Sequence, residues 1–181
     1  MGIAFGLVVN FGVDEAAAWS ARDHVLGSGS FAVGHREVVL HPPQLDWDAD
    51  VDGVPYLLMS ILPIGVGRGL PLDRGHEPVR LSAAELTDLG SQLYGLLREF
   101  SGYRAARVGW DPYASVDLAE LERECADLLE AGTLPGLVLF ESVLTATRGA
   151  AFVPFAPWFV WIPYASERAS SLTADDDNLA A

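Results

Sequence analysis

The sequence predicts an α+β fold, and three observations predict it. Strand-like patterns occur in adjacent runs instead of alternating one-for-one with helical ones, which disfavours a parallel doubly wound sheet. Residues 82–100 carry a full amphipathic helix signature. Leu45 to Asp52 alternates strictly between apolar residues and aspartates, the period of a strand with one covered face. The expected architecture is one domain over residues 1–164, a mixed and mainly antiparallel sheet with about three helices packed on it. A disordered acidic tail over residues 165–181 is expected to follow, because that stretch is small, polar and acidic.

Taken in order, Ile3 to Phe11 is rich in Val, Leu and Phe and is expected to be a buried strand. Asp14 can cap a helix from Glu15 to about Leu26, with Trp19 and Leu26 inward and Gly27 at its end. Ser30 to Leu40 reads as one strand, stopped by Pro42-Pro43. In the alternating run, Leu45, Trp47, Ala49 and Val51 form one face and Asp46, Asp48, Asp50 and Asp52 the other, and Asp52-Gly53 supplies a hairpin turn. The return strand, Val54 to Ile64, is apolar on both faces and is expected inside the sheet.

The central helix is the clearest element. Ser82-Ala-Ala-Glu85 is a capping box, with Leu81 and Leu86 placed for a hydrophobic staple. Leu86, Leu89, Leu93, Leu96, Leu97 and Phe100 recur at three- and four-residue steps, and Gly102 offers a left-handed end. Gly90 and Gly95 each cost about 1 kcal/mol against Ala inside a helix and imply close approach to another backbone. A strand from Ala105 to Trp110 follows. Asp117 then caps one helix whose stripe is Leu118, Leu121, Cys125, Leu128 and Leu129. Final strands are expected at residues 137–144 and 158–164, with residues 152–157 as a proline-stiffened approach. The aromatics of the last strand are expected to be core.

Composition narrows the function. The formal charge is −14, from 25 acids against 11 bases, and every base is Arg. Such a chain repels phosphate backbones, so nucleic acid is not the expected partner. It attracts basic proteins at long range. The single cysteine, Cys125, excludes an internal disulfide and indicates a reducing compartment. Its place on a helix stripe marks it as an inert thiol. The apolar runs at residues 3–9, 54–67 and 150–165 are too short to span a bilayer, the latter two are broken by prolines, and the first lacks the flanks of a signal peptide. The expected location is the cytoplasm, with no membrane partner.

Three constellations could carry chemistry. Asp48-Ala-Asp50-Val-Asp52-Gly53 resembles the opening half of an EF-hand calcium loop, where alternating carboxylates and a turning glycine wrap a hard cation. Calcium at Asp48, Asp50 and Asp52 is therefore one reading, although Met59 stands where the loop needs Glu and Pro55 falls at its eighth position. The same carboxylates also serve as the acidic guard of an edge strand, or as a docking face for Arg or Lys of a partner. His35, Glu37 and His41 would share one face of the expected strand, a set that suits a metal or acid/base work. Solvated strand residues give the same alternation by chance. Gly65-Val-Gly67-Arg-Gly69 lacks the helix that a phosphate-cradling loop needs directly behind it. With Arg68, Arg74, His76 and Arg80 it is still the one basic cluster of an acidic chain. No serine elbow, HExxH, CxxC or Walker sequence is present. The ending Asn178-Leu-Ala-Ala181 is similar to the Leu-Ala-Ala ending of bacterial degradation tags.

Two function classes follow. The first is a binding protein that masks a basic protein partner, as immunity proteins and antitoxins do, through Asp46, Trp47, Asp48, Asp50 and Asp52. The second is a small-molecule enzyme or binder using His35, Glu37 and His41, or the loop from Gly65 to Arg80.

Overall fold

The computed structural model describes residues 2–145 and 151–174. It is an α+β domain with four helices, a mainly antiparallel sheet of eight strands and a separate two-stranded sheet. The strands are β1 (Ile3–Asn10), β2 (Ser30–Val33), β3 (Arg36–Val39), β4 (Gln44–Ala49), β5 (Pro55–Ile61), β6 (Gly67–Arg68), β7 (Ala105–Trp110), β8 (Val138–Phe140), β9 (Val153–Ala156) and β10 (Phe159–Trp161). The helices are α1 (Glu15–Ser28), α2 (Ala83–Leu97), α3 (Leu118–Glu124) and α4 (Ala126–Glu130). The large sheet runs β4-β5-β1-β7-β8-β10-β9, with β6 against the start of β1, and β2–β3 stand apart. Among the described residues no helix is long and apolar enough to cross a membrane.

The sheet has a covering on each face. One face carries α1 and α2 over Phe5, Leu7, Val9, Met59 and Ile61, all buried. Alternation turns Val8, Leu58, Ala105 and Leu139 to the other face, where α3 and α4 cover them with Leu121 and Leu129. Helix α2 forms as its sequence dictates. Ser82 Oγ accepts from Glu85 N–H at 3.2 Å, and the Glu85 carboxylate accepts from Ser82 N–H at 2.9 Å. Leu86, Leu89, Leu93 and Leu97 are buried. Gly90 is the close-packed glycine. A Cβ there would lie 2.5 Å from the Tyr164 hydroxyl, so the neighbour is a phenol ring and not a backbone. Gly95 has nothing within 4 Å and earns no packing explanation.

Several elements differ from expectation, each for a local reason. Residues 30–40 form a hairpin, because Gly34 adopts φ +58° and turns the chain at Gly34-His35. Helix α1 is held by Ala18, Ala21 and Val25, while Trp19 and Leu26 are about half exposed. Its small residues let it lie close to the sheet, and Trp19 stacks outside under Arg22 at 5.3 Å. The helix expected after Asp117 breaks at Cys125 into α3 and α4. Residues 153–156 are strand β9, with a turn at Trp158, which has φ +70° and is 71% exposed. The rest of that aromatic segment is core, since Phe159 stacks on Tyr103 at 4.0 Å.

Within the stretch expected to be a tail, residues 165–174 make defined contacts, and residues 175–181 lie outside the described residues. Glu167 N–H donates to Thr87 Oγ1 of α2 at 2.9 Å, Ala174 N–H donates to Leu81 O just ahead of α2 at 2.9 Å, and Thr173 is fully buried. These bonds satisfy backbone groups that the packing would otherwise leave without partners.

Candidate functional site

The alternating aspartate run is the edge of the sheet. Among the described residues strand β4 pairs only with β5, in the register Asp46–Leu58, Trp47–Leu57 and Asp48–Tyr56. Directly paired residues point to the same face. Asp46 and Asp48 therefore lie on the α3/α4 face with Leu58 and Tyr56, and Trp47 lies on the α1/α2 face with Leu57. All three are exposed, because no helix reaches beyond β5, and Trp47 is 53% exposed. Among the described residues neither Asp46 nor Asp48 forms an ion pair. Asp48 Oδ1 accepts from Ala49 N–H at 2.8 Å, and the Tyr56 hydroxyl lies 3.5 Å from Asp48 Oδ2. Burial, then the nearby carboxylates of Asp48 and Asp117, push Tyr56 up to about 12.

The other two aspartates are committed within the chain. Asp50 Oδ1 accepts from Asp52 N–H at 2.9 Å and Val54 N–H at 2.8 Å, closing the hairpin turn completed by Gly53 at φ +79°. Asp52 is paired with Arg123 of α3. A calcium loop needs its carboxylates turned inward on one point. Here one carboxylate caps the turn, one is held by an arginine, and Asp48 sits back on the strand. No group of three or more His, Cys, Asp or Glu among the described residues is placed to hold a metal ion.

His35, Glu37 and His41 are not brought together. His35 occupies the exposed β2–β3 turn, and Glu37 accepts from Ser30 Oγ across that hairpin at 2.5 Å. His41 is buried beyond the hairpin, with Nε2 2.8 Å from Asp73 Oδ1 and its ring edge-on to His76 at 5.8 Å. A shared face required one continuous strand from His35 to His41, but His35 lies in the turn and the chain leaves the hairpin after Val39, with Leu40 bridging Pro63 and His41 N–H donating to Leu62 O at 2.8 Å. Asp73 Oδ1 also accepts from Gly65 N–H at 3.0 Å, so the role visible for His41 is to pin the glycine loop. Cys125 is partly buried, and its thiol is pushed up by burial and then by Glu120 and Glu124, which leaves it a poor nucleophile.

The basic loop singled out in the sequence, Gly65 to Arg80, lies at the opposite end of the sheet. Two cavities, of about 280 and 430 Å³, flank Trp110 there. Arg68 and Arg80 of that loop line the smaller one, whereas the part played by Trp110, Arg107 and Arg168 carried no signal in the sequence. The other walls of the two cavities come from residues far apart in sequence. Comparison with family models, with curated proteins and with solved structures finds no match for this chain.

Proposed function

We propose that this is an acidic cytoplasmic binding protein that masks a basic protein partner, in the manner of immunity proteins and antitoxins. The observation that supports this reading best is the open edge strand β4. It offers an unpaired backbone edge together with two exposed carboxylates, Asp46 and Asp48, that meet no cation of the described chain. A partner strand added along β4 would gain main-chain hydrogen bonds and would send alternate side chains to the two faces. Its cations would meet Asp46 and Asp48, and its apolar residues would meet Trp47. The carboxylates then do two jobs. They repel a second copy of the same edge, and they select a basic strand.

The test is capture of partners by the tagged chain from its own cells, beside a double variant, Asp46→Asn with Asp48→Asn. Asp50 is left intact because it closes the turn. The expected result is a stoichiometric basic protein, weakened at least about tenfold by the double variant and losing much of its salt dependence. A partner held equally well by the variant, with the same salt dependence, sinks the reading.

A further inference from the structure

We infer that the two cavities beside Trp110 form one binding crevice for a small organic oxyanion that carries a planar ring. The inference is independent of the acidic edge. Trp110 pairs with Phe5 near the start of β1, whereas Asp46 lies level with Asn10 at its end, through Leu58.

The crevice exists because the sheet is incomplete there. Among the described residues, strand β8 covers only Ala105 and Ala106 of β7, and residues 107–110 have no strand beside them on that side. The Tyr94 hydroxyl fills part of the gap. It accepts from Val108 N–H at 3.1 Å and donates to Gly136 O at 2.6 Å. The remaining space is the 430 Å³ cavity, closed outwardly by residues 164–170. On the other side of Trp110, the glycine loop and Leu172 enclose the 280 Å³ cavity. Each is on the scale of a small-molecule site, about 300 Å³ and upward.

The charge of these walls is reversed relative to the chain. Arg68 and Arg80 line one cavity and Arg107 and Arg168 the other, against one acid among the described lining residues, Glu167. In the whole chain, 25 acids face 11 bases. Glu167 is itself occupied as the acceptor of the Tyr164 hydroxyl at 2.8 Å. Two of the arginines are held in place. Arg80 Nη2 donates to Thr173 O at 2.9 Å, and Arg107 Nη1 donates to Ser115 Oγ at 2.5 Å. Arg68 and Arg168 are exposed at the cavity walls. Guanidinium groups so arranged recognise carboxylate or phosphate oxygens. Trp110 lines both cavities, and an indole there favours a flat ring over an aliphatic body.

Isothermal titration of the full chain tests this with four probes: adenosine monophosphate, phthalate, uncharged adenosine and inorganic phosphate. The expected result is binding of one ring-bearing anion with a dissociation constant below about 1 mM, and none of adenosine. Arg68→Gln and Arg168→Gln, at exposed positions, should each weaken it about tenfold without shifting the melting temperature. The phosphate and phthalate arms tell the two oxyanion sources apart. The double variant Asp46→Asn with Asp48→Asn should bind the anion unchanged, which separates failure here from failure of the acidic edge. Absence of binding by both ring-bearing anions overturns the inference, as does binding that the arginine variants leave intact. Inorganic phosphate binding as tightly as adenosine monophosphate overturns the part assigned to the ring.

Discussion

Strand β1 runs between two ends that are built differently. At the hairpin end the turn itself is closed locally, Asp50 accepting from residues two and four positions away, and the long-range tie of Asp52 to Arg123 is an exposed one. Its charged groups are displayed on a strand edge, and the cavity there is about 90 Å³. At the Trp110 end the contacts join distant segments. Arg80 meets Thr173 across 93 residues, Glu167 meets Thr87 across 80, and Tyr94 meets Gly136 across 42. The charges there line cavities. A display surface can be written in consecutive residues. A crevice has to be assembled from several parts of the chain, so its integrity depends on the whole fold.

The largest expected effect spans both ends, with Tyr94 and Tyr164 at the Trp110 end and Tyr56 and Tyr103 at the hairpin end. Burial, foremost, pushes the phenols of Tyr94, Tyr103 and Tyr164 above their ordinary value of 10.0, and Tyr56 to about 12. In each case the folded state holds its proton more tightly than the unfolded chain does. The contribution to stability is therefore complete below pH 10 and is lost as pH rises through the folded values. Urea titrations at rising pH should show stability falling steeply above about pH 10. A flat profile to pH 12 would show that these rings are wetter than the packing implies.

Next in size is Tyr94→Phe. It removes one hydroxyl and leaves two buried backbone groups, Val108 N–H and Gly136 O, without that partner. Denaturant unfolding should show a loss of about 3 kcal/mol. A loss under about 1 kcal/mol would mean that water replaces the hydroxyl and that the gap beside β7 is already wet. The smallest effects belong to the local end. Asp50→Ala should cost about 1 kcal/mol, the scale of a lost side-chain cap. Asp52→Ala, which breaks an exposed pair with Arg123, should stay within about 0.5 kcal/mol. If the Asp50 and Asp52 variants reverse that order, the hairpin is tied to α3 more firmly than its own turn holds it.

The same division explains what could be read from the residues. The capping box at Ser82 and Glu85, the leucine stripe of α2 and the period-two pattern of β4 are set by neighbours in sequence; the first two formed as expected, and the third formed a strand whose apolar face is left largely uncovered. The α+β class, which rests on the order of such patterns, is also as expected. Periodicity cannot tell one strand from a two-strand hairpin when a single glycine decides it. His35, Glu37 and His41 all follow Gly34; they are apart because His35 sits in the turn, Glu37 on β3, and the chain leaves the hairpin after Val39, where Leu40 bridges Pro63. Nor does alternation say which apolar face is covered. Trp47 has the right period for burial but stands beyond the reach of α1. Residues 165–174 have the composition of a tail, and their contacts with Thr87 and Leu81, far away in sequence, give them a place. The crevice combined both difficulties, since its walls come from the glycine loop, β7 and that final segment.

One geometric consequence concerns the rim of the smaller cavity. Gly2 packs against Gly69, where an added Cβ would lie 2.8 Å from the Gly69 carbonyl, and Ala174 is fastened beside Leu81. Gly69 and Leu81 both line the smaller cavity. The approach to β1 and the segment that reaches Ala174 therefore brace the same rim from two sides, so that loosening either one slackens a wall of the arginine crevice while leaving the acidic hairpin untouched.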